Sequence, residues 1–124
     1  MRKFKTPLKL GFDFDEAKKF LLARDQKEKE NLELERKQTL QKVVAILEAE
    51  FQNTGVEVFL VGSLLLPYSF TSRSDVDIVL KNYSGDRFDL WTKLEEKIGR
   101  NVEVILFEKC PFQEFVIQEG YKVI

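Results

Sequence analysis

Asp75 and Asp77 stand two residues apart where the apolar run 76–80 begins, and Gly62-Ser63 closes another apolar run, with eleven residues between the two motifs. In an extended strand, residues i and i+2 point to the same face, so this spacing gathers both carboxylates while Val76, Ile78 and Leu80 take the other face. Like charges held that close raise one another's pKa unless a cation lies between them, and magnesium or manganese is the usual hard partner for such oxygens. Gly62-Ser63 at a strand end lets the backbone turn sharply and offers donors to an anion such as phosphate, because glycine has no Cβ to block close approach. Glu103 lies inside a third apolar run, 102–107, and burying a lone carboxylate is costly without a partner. If that run pairs with the Asp strand, three carboxylates meet. Such a set suits two metal ions about 3.5 to 4 Å apart, which bring a hydroxyl and a nucleoside triphosphate together and stabilise the leaving pyrophosphate. The chemistry is phosphoryl or nucleotidyl transfer.

The elements that must position these residues are legible in the pattern. Residues 56–61, 76–80 and 102–107 read as strands rich in Val, Ile, Leu and Phe, the first apolar enough to be covered on both faces. Between the last two, residues 86–98 carry Phe88, Trp91, Leu94 and Ile98 at helical spacing, closed by Gly99, which makes a crossover helix. Residues 111–120 read as a short helix with Pro111 at its start and Gly120 after it, followed by a strand-like 121–124. From residue 12 to 54 there is neither Gly nor Pro, and good helix formers dominate. That predicts one long helix or two in sequence. Its later half places Leu40, Val43, Val44, Leu47 and Phe51 on one stripe facing a core. Its middle, 24–37, has five basic and five acidic residues, with Asp25/Lys29, Lys29/Glu33 and Glu33/Lys37 spaced as i,i+4 pairs on a solvated face. A coiled-coil or homodimer arm is the sharper alternative for that stretch, although sustained heptads are missing.

The predicted organisation is a single α+β domain: a helical extension over 1–54 packed on a core of a small mixed sheet flanked by helices over 55–124. The chain has 124 residues, 44 % hydrophobic and 33 % charged, enough for one packed interior. Twenty basic against twenty-one acidic residues leave a net charge of -1, which gives no pull toward nucleic acid or an anionic membrane. The absence of histidine removes His-based triads, zinc fingers and histidine general bases. Cys110, the one cysteine, cannot close an internal disulfide, and a reducing cytoplasm fits. Residues 1–10 are basic without the apolar stretch of a signal peptide, and no apolar run approaches the ~20 residues of a membrane span. A soluble cytoplasmic protein is expected.

The run Val58-Phe59-Leu60-Val61-Gly62-Ser63, through Ser74-Asp75-Val76-Asp77-Ile78-Val79-Leu80, resembles the core motif of minimal nucleotidyltransferase domains of the polymerase-beta-like superfamily. The strand Asn101-Val102-Glu103-Val104-Ile105 and the closing segment 115–120 are similar to that family's third-acid strand and terminal helix, and the long charged N-terminal helix resembles a subgroup. The resemblance implies a nucleotidyltransferase fold and magnesium-dependent transfer of a nucleoside monophosphate, AMP from ATP, to a hydroxyl of a protein. It also implies a role as the antitoxin of a separately encoded HEPN partner, which it adenylylates. Carried over by position, Asp75, Asp77 and Glu103 ligate the metals, Glu103 favours deprotonation of the acceptor, and Gly62 and Ser63 hold the triphosphate.

Two departures accompany the likeness. Leu64-Leu65-Leu66-Pro67 follows Gly-Ser where small and basic residues are usual, and Pro67 limits the helix expected there. The third acid is Glu103 where Asp is common, which lengthens the arm to a metal. They motivate the alternative of a catalytically weak nucleotidyltransferase-fold protein that neutralises its partner by binding. Arg73, Lys81 and Arg87 are the candidates for phosphate contact.

Overall fold

The Gly- and Pro-free stretch forms one unbroken helix, α1 (Phe14–Phe51), in a computed structural model that describes residues 14–124. The basic segment 1–10 and the expected helix start at residue 12 lie outside the described residues. The chain divides into two compact units, with the boundary between Asn31 and Leu32. In the first, residues 14–31 of α1 carry i,i+4 contacts of Arg24 with Glu28, Lys29 with Asp25 and Gln26 with Glu30, and expose Phe20, Leu21 and Leu22.

In the second unit, residues 32–51 of α1 lead into β1 (Glu57–Val61), a short 3-10 turn (Ser63–Leu65), β2 (Val76–Lys81), α2 (Arg87–Ile98), β3 (Val102–Leu106), a second 3-10 turn (Phe107–Lys109), α3 (Gln113–Glu119) and β4 (Tyr121–Lys122). The sheet order is β3-β2-β1-β4; β1 pairs antiparallel with β2 and β4, and β2 pairs parallel with β3. The parallel pair needs a crossover, which α2 supplies. This is the expected α+β architecture, a mixed sheet with helices against it.

Apolar residues on both sides of β1 make two cores. Val58, Leu60, Val76, Ile78, Leu80, Val102 and Val104 pack with Val43, Leu47 and Phe51 of α1 and Leu90, Leu94 and Ile98 of α2. On the opposite face Phe59, Val61 and Val79 pack with Phe107, Cys110 and Val116. Leu90 takes the core position that spacing assigned to Phe88, which is 70 % exposed and stacked against Trp91.

α2 is delimited by its own caps. Asp86 accepts hydrogen bonds from the N–H of Phe88 and Asp89, and Gly99 ends the helix in the left-handed conformation, φ 78°. Lys42 of α1 donates to the carbonyl of Ile98 at 2.9 Å, and Glu50 receives Lys93 and Lys97 at 2.8 and 3.0 Å. These contacts fix α2 against the C-terminal half of α1.

Candidate active site

The sheet register brings two of the three predicted acids together. Asp77 of β2 lies opposite Glu103 of β3 in the parallel ladder and opposite Val61 of β1 in the antiparallel one. Register partners share a face, so Val61, Asp77 and Glu103 line one cleft of about 390 Å³ with Gly62, Ile105, Phe112 and Phe115. Asp75, exposed and one residue ahead of β2, is near enough for its charge to act on Asp77.

Three negative groups at one strand end alter the titration of the most buried one. Asp77 is pushed up to about 6, first by burial, then by the charge of Glu103 and of Asp75. Among the described residues none of the three acids makes an ion pair. Nor do any three Asp, Glu, His or Cys side chains close on one point as a ready cage. A divalent cation would relieve the repulsion that raises Asp77, and an all-carboxylate donor set suits magnesium or manganese.

Gly62 is the residue that lets the β1 end approach Asp77. Its φ of 89° is in the range that favours glycine, and a Cβ there would run into Oδ2 of Asp77. Ser63 is half-buried and opens the 3-10 turn, outside the lining of the cleft. The turn ends at Leu65, before Pro67, as the sequence suggested. Leu64 drops fully into the core, which explains an apolar residue directly after Gly-Ser.

The eleven residues between Gly-Ser and Asp75 are held by two Glu–Arg pairs that residue spacing did not reveal. Arg36 donates to Glu33 through Nε at 2.8 Å and Nη2 at 2.6 Å, and its Nη1 donates to the Leu64 carbonyl at 3.0 Å. Glu33 also accepts the Tyr68 N–H at 3.0 Å. The Arg36 hydrogen bonds, with that of Tyr68, hold the Glu33 carboxyl down at about 2, and Glu33 in turn raises Arg36. Further along, Arg100 donates to Glu35 at 3.0 Å and to the carbonyls of Thr71, Ser72 and Ser74, with its guanidinium 4.4 Å from the Phe70 ring centre.

These contacts correct the solvated-face reading of 24–37. Lys29 pairs with Asp25 as expected, but Glu33 turns to Arg36 instead of making the Lys29/Glu33 and Glu33/Lys37 pairs, and both Glu33 and Arg36 are buried. An i,i+3 Glu-Arg pair within a charged helix has the same sequence signature whether it faces water or a loop.

The three basic candidates separate. Lys81 pairs with Glu57 at 3.9 Å and lies over the Phe107 ring, away from the cleft lining. Arg73 borders a different cleft with Arg100 and Asn101. Arg87 alone shares a cleft with one of the acids, Glu103. Comparison with protein-family models, curated proteins and solved structures returned no match to this chain.

Proposed function

We propose that the protein is a magnesium-dependent nucleotidyltransferase of the nucleotidyltransferase fold, transferring AMP from ATP to a hydroxyl of a protein partner in the cytoplasm. The partner is a separately encoded HEPN-type toxin. The observation that carries this reading is the register of Asp77 with Glu103 beside Gly62, with Asp75 at the same strand end. Asp75, Asp77 and Glu103 would hold two magnesium ions, or manganese, which when bound neutralise the triphosphate and acidify an acceptor hydroxyl.

The chain's own residues do the rest. Gly62 lets the end of β1 come directly against the Asp77 carboxylate, where any Cβ would collide with it. Ser63 offers its hydroxyl and N–H at the start of the turn. Glu103, exposed near the start of β3, would accept the proton of the acceptor hydroxyl. The Glu33–Arg36 and Arg100–Glu35 pairs hold the connection between the two motifs, so the Gly62 turn and Asp75 keep their spacing.

The test is incubation with α-labelled ATP, magnesium and the protein encoded by the neighbouring gene, with the Asp77→Asn variant alongside. Label on the partner from the wild type alone supports the proposal. Absence of label with a tight complex in both proteins would replace it with neutralisation by contact.

A further inference from the structure

Beyond Glu103 the structure has a second cleft, of about 290 Å³, that the proposed chemistry leaves unused. Arg87, Trp91, Lys109 and Phe112 border it with four consecutive β3 residues, from Glu103 to Leu106. Successive residues of a strand point to opposite faces, so a cleft touching four in a row runs along the strand's side. β3 is an edge strand, with β2 its one neighbour among the described residues.

Part of the backbone of that edge faces away from β2. The Asn101 carbonyl accepts the Val76 N–H on the β2 side, so alternation turns the backbone groups of Val102, Val104 and Leu106 outward. Glu95 of α2 captures the Val102 N–H at 3.0 Å. Val104 follows in the same orientation, and Leu106 turns its N–H outward while its carbonyl opens the 3-10 turn that follows. Unpaired edge groups are a template for another strand.

Two cations, Arg87 and Lys109, border that cleft against one carboxylate, Glu103. Neither Arg87 nor Lys109 makes an ion pair among the described residues. The Arg87 guanidinium lies 5.4 and 5.6 Å from the ring centres of Phe88 and Trp91, and its Nε is buried without a hydrogen-bond partner. A buried charged donor without an acceptor is costly, and a carboxylate supplies two acceptor oxygens.

We infer that the free edge of β3 docks an extended acidic peptide segment, added as a further strand, with its carboxylates on Arg87 and Lys109. That this segment belongs to the acceptor protein and brings its hydroxyl to Glu103, at the join of the two clefts, rests on the function proposed above. An extended peptide fits better than a nucleic acid, since two cations beside the outward main-chain groups of Val104 and Leu106 match alternating side chains and main-chain amides.

Trp91 is the chain's only tryptophan, so its emission reports on this cleft directly. The probe is a blocked peptide of about twelve residues alternating Glu with Thr or Val, a length that covers a strand edge, titrated without ATP. We expect a saturable change in Trp91 emission, weakened about fivefold by Arg87→Gln and by Lys109→Gln and largely restored by Arg87→Lys. N-methylation of alternate peptide amides is expected to abolish it, and a Lys-for-Glu peptide to give none. No emission change, or binding indifferent to N-methylation and to both substitutions, overturns the inference. So does tighter binding of a single-stranded oligonucleotide, or displacement of the peptide by pyrophosphate. Peptide binding without nucleotide transfer supports this inference and counts against the proposed reaction; transfer without peptide binding does the reverse.

Discussion

Arg36 grips Glu33 through two hydrogen bonds of 2.8 and 2.6 Å while both residues, three apart on α1, hold the loop after Gly-Ser by its backbone at Leu64 and Tyr68. Both are buried. Charges taken out of water are tolerable when fully paired, and removing one partner strands the other. Arg36→Ala is therefore expected to lower stability by about 3 kcal/mol, measured by urea unfolding, and to cost more than replacing both residues with apolar ones of similar size.

Acid should release the same clamp. The Glu33 carboxyl is held at about 2, below its ordinary 4.5, so the native state binds fewer protons in that interval. Its contribution is complete above about 4.5 and lost as pH falls toward 2. Melts across that range should show a steeper loss of Tm in the wild type than in Glu33→Gln, whose Tm starts lower.

Asp77 has the opposite sign. Its folded pKa of about 6 exceeds the ordinary 3.8, so the native state binds more protons between those values and stability falls as pH rises through the window. Asp77→Asn should stabilise the metal-free protein by about 1 kcal/mol at neutral pH, a value discounted for the group's partial exposure. The gain should vanish below the ordinary carboxylate range. A destabilised Asn variant at neutral pH would show that Asp77 already has a compensating partner.

Magnesium or manganese is expected to reverse that ranking. A cation binding only the folded acids adds about 1.4 kcal/mol at ten times its Kd, read as a rise in Tm. The rise should be absent in Asp77→Asn and should fade in the wild type as pH drops below 6, where a proton competes for the ligand. Calcium as the sole stabilising ion would point to a site of different size.

Gly62→Ala tests the turn. The new methyl group would meet the Asp77 carboxylate, and the backbone would keep a φ of 89° that alanine disfavours. We expect a loss of about 2 kcal/mol by chemical unfolding, and weaker magnesium-dependent stabilisation.

The strands were readable because their composition is local information. Val, Ile and Leu runs ending in Gly62 and opening after Asp75 gave the edges of β1 and β2 to within a residue. The i,i+2 rule placed Asp77 away from Val76 and Ile78, as the two cores confirm. Phe88 was misplaced because helical periodicity alone does not distinguish a core position such as Leu90 from an exposed aromatic two residues before it. Glu33, Arg36 and Arg100 escaped for a related reason: their partners lie 26 to 65 residues away in the chain, apart from the i,i+3 pair itself.

Residue types and spacing by themselves determined which segments are helix and strand, which strand faces are apolar, and that Gly62, Asp75, Asp77 and Glu103 sit at strand ends or inside strands. The crossover helix implied a parallel pair, but only the tertiary structure decided that β2 and β3 are neighbours with Asp77 opposite Glu103. It also decided that β3 is an edge among the described residues, and that a charged helix face is half buried against a loop. Side-chain periodicity encodes which face a residue takes. Pairing, register and long-range ion pairs depend on which distant segments meet, and a local pattern carries no record of that.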